Sequence, residues 1–280
     1  MPELPEVETM RRAIQSIAGG RIVDVERVFG PHKPIAIVPR IDAFRRRARG
    51  QIVEQVARRG KRVILELDRG DRIVIHPRMS GLVLLSDPPD LGHLRLLIRL
   101  DGVECFGSAE VLFWDSRGLG TVDLMSQVEF DEAFGENAMG PDALEITKAN
   151  FIRRLAPGRR EIKVALLDQR GAAGIGNIYA SEMLHTAGIH PRRICSSLDV
   201  REWMKLHSSM RRVLNRAILH CGSTLRDGLY RVSRDREGAF QNYFRVYDRA
   251  GERCRTCRRG EIHRIVQSQR STFYCPKCQV

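Results

Sequence analysis

Val7, Met10, Ile14 and Ile17 recur at three- and four-residue intervals, so the chain opens on a helix with one apolar face. Pro5 suits its first turn, and Gly19-Gly20 ends it. Glu3 and Glu6 lie at its N-terminal end, where the helix dipole favours anions. From Arg21 to about Met125 the pattern shortens to strand-like runs at 21–28, 51–56, 62–67, 73–75, 82–85, 94–100 and 111–114. Turn-forming residues such as Arg69-Gly70-Asp71, Asp87-Pro88-Pro89-Asp90 and Asp101-Gly102 separate them. Many short strands with close turns predict a sandwich or a barrel. Helical text takes over after about Asp131, with runs at 144–155, 163–167, 178–185 and 200–219. Residues 222–245 are rich in Gly, Arg, Asp and Ser and read as loop. The layout predicts a β-rich domain over 1–130, a helical domain over 131–245 and a small module over 246–280. No internal repeat is evident.

A length of 280 residues suits about two domains of ordinary size, and 42% hydrophobic residues suffice for packed cores. With 47 Lys+Arg against 34 Asp+Glu the net charge is +13, which directs attention to polyanions, nucleic acid first and an anionic membrane surface second. Arginine dominates the basic set, and its planar fork matches phosphates and base edges. Aromatic residues are only 6%, which disfavours a stacking platform for long single strands. No stretch approaches the roughly 18 uncharged apolar residues of a membrane span. The opening Met1-Pro2-Glu3-Leu4-Pro5-Glu6 has acids where a signal peptide has bases, so a reducing, cytoplasmic setting is expected.

The seven cysteines divide unevenly. Cys254 and Cys257 form one C-x2-C pair, and Cys275 and Cys278 form another after a gap of residues 258–274. This is the spacing of a structural zinc site with four thiolate ligands and no open position. Cys105, Cys195 and Cys221 are scattered and read as small buried hydrophobes. Pro2 offers a different chemistry. Removal of Met1 would expose a secondary α-amine, with a pKa of about 7.7–8 against about 10.4 for lysine. Attack by that amine on an aldehyde carbon gives an iminium, which is positively charged without needing a proton. Glu3 and Glu6 lie within one helical turn and could move protons.

Three motifs bring these features together. Residues 1–12 read Met-Pro-Glu-Leu-Pro-Glu-Val-Glu-Thr-Met-Arg-Arg, and residues 168–191 contain Gly174-Ile175-Gly176-Asn177-Ile178-Tyr179-Ala180-Ser181-Glu182. The cysteine module contains Gln269-Arg270-Ser271-Thr272-Phe273-Tyr274-Cys275-Pro276-Lys277-Cys278. In this order, over essentially the whole chain, they resemble the formamidopyrimidine-DNA glycosylases, base-excision enzymes for oxidised purines. The resemblance implies an α+β multidomain fold: an N-terminal β-sandwich flanked by helices, then a helix-two-turn-helix domain with a β-hairpin zinc finger. It implies Pro2 as nucleophile, Glu3 as acid and base, Glu6 in support, and Lys61 and Arg270 on the phosphates beside the lesion. Met79, Arg117 and Leu119 match the positions that fill the duplex where a nucleotide is flipped out. Lys163 and Asn177 match further DNA-contacting positions. One zinc ion on Cys254, Cys257, Cys275 and Cys278, a double-stranded damaged DNA partner, no organic cofactor, no membrane and a monomer complete the implied picture.

The chain departs from the family pattern at three places. Where the family has Asp-Pro-Arg-Arg-Phe-Gly, this chain has Asp115-Ser116-Arg117-Gly118-Leu119-Gly120. Pro77-Arg78 replaces the usual Leu-x before Met79, and the 228–240 loop is more basic than usual. Two rival readings follow: an endonuclease VIII-like enzyme for oxidised pyrimidines, and a catalytically silent DNA-damage sensor. Leu4 sides with the purine enzymes, and Pro2, Glu3 and Lys61 together side with catalysis.

Overall fold

The computed structural model describes residues 2–103, 107–225, 227–232 and 236–280. Met1 and Cys105 lie outside the described residues, as do Arg226 and residues 233–235 of the basic loop. The chain forms two compact units, one of Met1–Gly135 with His220–Gln241, the other of Glu136–Leu219 with Asn242–Val280. This differs from three consecutive blocks. Residues 220–241 return to the first unit because Tyr230 is buried in its apolar core and the Ser223 N–H is bound by a carboxylate of the first helix. The cysteine module shares a unit with the helices.

In the first unit, helix α1 (Leu4–Ala13) stops six residues before Gly19, and a 3-10 turn at Gln15–Ile17 continues its course. That change of geometry keeps Leu4, Val7, Ile14 and Ile17 all fully buried. Strand β1 (Arg21–Arg27) and the short β2 (Ala36–Val38) precede helix α2 (Ile41–Ala48), which the sequence pattern did not reveal. Arg45, Arg46 and Arg47 hide its narrow apolar stripe, yet Phe44 is fully buried. Strands β3 (Val53–Arg59), β4 (Arg62–Leu67), β5 (Arg72–His76), β6 (Gly81–Leu84), β7 (Leu94–Val103), β8 (Gly107–Asp115) and β9 (Thr121–Met125) follow. Helix α3 (Gln127–Phe134) closes the run, and the Ser126 hydroxyl caps it by accepting the Glu129 N–H.

Among the described residues these strands form a four-stranded sheet, β1-β7-β8-β6, and a five-stranded sheet, β2-β9-β5-β4-β3. Every pairing is antiparallel except that of β2 with β9. Side chains from both sheets and from α1 share one apolar core, so the sandwich alternative holds.

The second unit contains α4 (Lys148–Leu155), α5 (Ile162–Leu167), α6 (Asn177–Ala187) and α7 (Val200–Leu219). The run expected at 144–155 is helical only from Lys148, where the Thr147 hydroxyl accepts the Asn150 N–H. Residues 145–146 instead turn back on the Asp142 carbonyl. Phe151 meets Trp203 and His207 edge to face, with ring centroids 5.7 and 5.5 Å apart. The hairpin of β10 (His263–Gln267) and β11 (Arg270–Tyr274) forms inside the cysteine module. Cys195 is buried as expected, whereas Cys221 is only partly covered. Cys221 occupies a left-handed turn with φ of 57° rather than a core position, and Arg236 Nη2 lies 3.4 Å from its sulfur.

A buried ion network ties α1 to the five-stranded sheet. The Glu8 carboxylate accepts from Arg11 at 3.0 Å, Arg12 at 2.7 Å and Arg58 on β3 at 3.0 Å. Burial alone would raise the Glu8 pKa, but these guanidinium bonds outweigh it and draw the value down from 4.5 to about 2. The folded value lies below the unfolded one, so Glu8 stabilises the fold above pH 4.5, and this contribution is lost as pH falls through 2. Glu8→Gln is expected to lower the melting temperature at pH 7 and to flatten the loss of stability between pH 4.5 and 2. Thermal melts across that range check this, and parallel curves for the two proteins would contradict it.

Candidate active site and nucleic-acid interface

Pro2 and Glu3 are buried at the start of α1, and Glu3 is its N-cap residue. The turn is held by Glu6, which is 1% exposed. Its Oε2 accepts the Glu3 N–H at 2.8 Å, while its Oε1 accepts the Ser223 N–H at 2.7 Å. Gly222 has φ of +76°, and a Cβ there would come 2.7 Å from Glu6 Oε1. Tyr230 supports the same segment by donating its hydroxyl proton to the Cys221 carbonyl at 2.8 Å. Its phenol pKa is raised well above the usual value, first by burial and then by the Glu6 charge, so it stays a donor. Sequence reasoning placed Glu6 near Pro2 but missed Gly222, Ser223 and Tyr230, because no local pattern relates them to α1.

Lys61 lies half-buried in the β3–β4 turn, in a crowd of cations. His76 is pushed down to about pKa 3, first by burial and then by Arg62, Arg78 and Lys61. Arg62 is itself lowered to about 10 by burial and by Arg78, and its guanidinium stacks 4.4 Å from the Phe134 ring centroid. Like charges held this close on one unit favour an anion in their company.

The residues expected to fill a distorted duplex sit on two loops of the first unit. Met79 is partly exposed, Arg117 is exposed and Leu119 is 41% exposed. None of them is a core side chain. The fully buried Asp115 holds both loops together. Its Oδ1 accepts from the Ser80 hydroxyl and from the Arg117 N–H at 3.2 Å, and its Oδ2 accepts the Leu119 and Gly120 N–H groups at 2.8 and 2.7 Å. Gly118 has φ of +59°, and a Cβ there would sit 2.2 Å from the Lys33 carbonyl oxygen. The turn therefore has no room for the arginine that the family carries at this place.

In the second unit, Ser268 and Gln269 form the hairpin turn with φ of 45° and 60°, and exposed Arg270 follows directly. Lys163 is 1% exposed, and its ammonium donates to Asn177 Oδ1 at 2.7 Å, Thr272 Oγ1 at 2.6 Å and the Ser271 carbonyl at 3.1 Å. Asn177, at the start of α6, also donates to the Ser271 carbonyl at 3.0 Å. The structure thus gathers Lys163 and Asn177 under the hairpin that bears Arg270, where they act as struts. Further along α6, buried Glu182 accepts the N–H groups of Arg245, Val246 and Tyr247 at 2.8–2.9 Å.

The sulfur atoms of Cys254, Cys257, Cys275 and Cys278 all lie within 4.8 Å of one another. The Cys254–Cys278 and Cys257–Cys275 separations are both 3.8 Å. A tetrahedron with zinc–sulfur bonds of about 2.3 Å has edges of about that length, so the four residues fit one zinc ion. The Thr256 and Gly260 N–H groups point at Cys254 and Cys257 at 3.4 and 3.3 Å. Backbone donors from Arg259 and Gly260 bring the Cys257 pKa down to about 6, which favours the ligating thiolate.

A mixed sandwich with a buried N-terminal turn, followed by a helical unit bearing a four-cysteine hairpin, defines a class of DNA-repair fold. Models of the formamidopyrimidine-DNA glycosylase N-terminal domain, the H2TH domain and the zinc finger found in FPG and IleRS match residues 1–122, 138–228 and 251–280. The formamidopyrimidine-DNA glycosylase of Chloroflexus aggregans is 40% identical over all of this chain and 99% of its own length. That of Cereibacter sphaeroides is 38% identical over the full length of both. A complex between the Lactococcus lactis Fpg and an abasic-site-containing DNA superposes with a TM-score of 0.85 at 31% identity, covering 99% of each chain. The MutM (FPG) protein of Thermus thermophilus gives 0.83 at 34%, covering 99% of this chain and 98% of that one. The chain belongs to the formamidopyrimidine-DNA glycosylase family.

Substituting Gly222 tests the clamp on the N-terminal turn. Gly222→Ala is expected to lower the unfolding free energy by about 1–2 kcal/mol from left-handed backbone strain, with more from the contact on Glu6. Urea unfolding measures this, and an unchanged midpoint would show that Glu6 does not hold the segment in place.

Proposed function

We propose that the protein is a bifunctional DNA glycosylase and abasic-site lyase of base excision repair, acting on oxidised purines such as 8-oxoguanine and formamidopyrimidines in duplex DNA. The observation that carries this reading is the Glu6 clamp, which fixes Glu3 beside the buried Pro2. The Pro2 nitrogen attacks C1′ of the flipped nucleotide, and the bond from C1′ to the base breaks with the base leaving protonated. Glu3 assists opening of the sugar ring, which turns the adduct into an iminium. The iminium acidifies a C2′ proton; its loss expels the 3′ phosphate, and a second elimination expels the 5′ phosphate. Lys61, in its crowd of cations, stabilises charge on a leaving phosphate. Arg270 grips flanking phosphates from a tip that Lys163 and Asn177 hold still. When bound, zinc crosslinks the two cysteine pairs and keeps that hairpin folded.

Met79, Arg117 and Leu119 fill the space left in the duplex. Leucine lacks the stacking face of the family's phenylalanine, so this chain wedges by bulk alone. The protein acts as a monomer in the cytoplasm, where DNA and reduced thiols are both available, and it needs no organic cofactor or membrane. Among the described residues no helix is long and apolar enough to cross a membrane.

Borohydride added during reaction with a duplex containing 8-oxoguanine is expected to trap one covalent protein–DNA adduct per chain. A chain with an uncleavable extension on the Pro2 nitrogen should trap none. Full activity of the extended chain would remove Pro2 as nucleophile, and a preference for thymine glycol over 8-oxoguanine would favour the endonuclease VIII-like reading. Arg270→Ala should weaken duplex binding and reduce the slope of log affinity against log salt by about one unit. An unchanged slope would take Arg270 off the phosphate.

A further inference from the structure

His185 occupies the last turn of α6 and is 4% exposed. Its Nε2 lies 3.7 Å from Cys254 Sγ, the length of a hydrogen bond to sulfur. Its Nδ1 is also buried and has no hydrogen-bond partner among the described residues. With Nδ1 buried and unpartnered among the described residues, a ring proton on Nε2 is the one that meets an acceptor, the Cys254 sulfur. The other donor to that sulfur is the Thr256 N–H at 3.4 Å, which comes from the cysteine module itself. His185 reaches Cys254 from a different element.

We propose that His185 is a positioning residue for the zinc site, donating Nε2–H to the Cys254 thiolate and so fixing that ligand to α6. A zinc ion with four thiolates carries a net charge of −2, and a buried N–H withdraws part of it. Outer-shell donors of this kind typically change metal affinity by about 10–100-fold. The contact also joins the metal to the helix that begins at Asn177 and carries Glu182. One helix therefore holds the hairpin turn, the entry to the module and one metal ligand.

The test uses the full zinc-loaded chain and needs no DNA, so it stands or falls apart from the reaction proposed above. Zinc transfer to a chromogenic chelator is timed for the wild type, for His185→Met, which fills similar space without a donor, and for His185→Gln, which keeps an N–H. His185→Met is expected to release zinc at least about tenfold faster, and His185→Gln to remain within about threefold of the wild type. Equal rates in all three, or Gln as fast as Met, would overturn the proposal. Cobalt substitution reads the ligand set directly. The same tetrathiolate absorption in the wild type and in His185→Met is expected, and a shift on substitution would make His185 a ligand and overturn its positioning role.

Discussion

A single buried carboxylate joins two stretches of chain 217 residues apart. Glu6 must lie out of water to do this, and an ionised carboxylate is stable there only when its oxygens are matched by donors. The N–H groups of Glu3 and Ser223 supply them. Because those donors belong to the backbone, the match fixes main chain rather than a mobile side chain. The start of α1, the left-handed turn at Gly222 and the buried Tyr230 then have little freedom left. A residue this close to a chain terminus would otherwise fray, as termini do. Here it is set into a turn with the order of a core.

The second unit solves a similar problem with a helix instead of a single side chain. Helix α6 is short, and most of its residues are buried, including the polar Ser181, Glu182 and His185. Asn177, Glu182 and His185 each turn a polar group toward a different part of the cysteine module. Lys163 of α5 adds two bonds to the hairpin, at the Ser271 carbonyl and the Thr272 hydroxyl, and one to Asn177. A hairpin with a strained Ser-Gln turn would not keep its shape alone, since two-stranded ribbons are marginal in water. Four cysteines placed for a metal at one end and this polar bracing along the other hold the hairpin that carries Arg270.

Much of this was legible in the sequence. The apolar stripe of α1, the run of α7, most of the strands and the four cysteines follow from periodicity and spacing alone, because each is a local pattern. Helix α2 was not legible, since a short stripe interrupted by three arginines gives no clear period. Strand β2, at three residues, is too short to stand out, and β9 was missed although it is as long as β5. The resemblance supplied Lys163 as a DNA contact, and the structure shows its ammonium occupied inside the protein, a matter of burial that no motif records. Asp115 reads as the first letter of a loop and turns out to be the anchor of two. The roles of Ser223, Tyr230 and His185 depend on contacts between distant segments, which a linear text does not contain. Gly118 reads as a lost arginine until the Lys33 carbonyl is seen against it.

The return of residues 220–241 to the first unit bears on how the molecule comes into being. A ribosome delivers the chain from its N-terminus, and domains usually fold as they emerge. The sandwich can collapse early, but the partner of Glu6 is not made until more than three quarters of the chain exists. Until then the α1 carboxylate lacks one of its backbone donors, and the N-terminal turn is not yet fastened. A prematurely terminated polypeptide would carry every residue of the proline turn and still lack the fastening that orders it. The N-terminal turn is thus completed last although it is synthesised first, and its order is a property of the nearly finished chain.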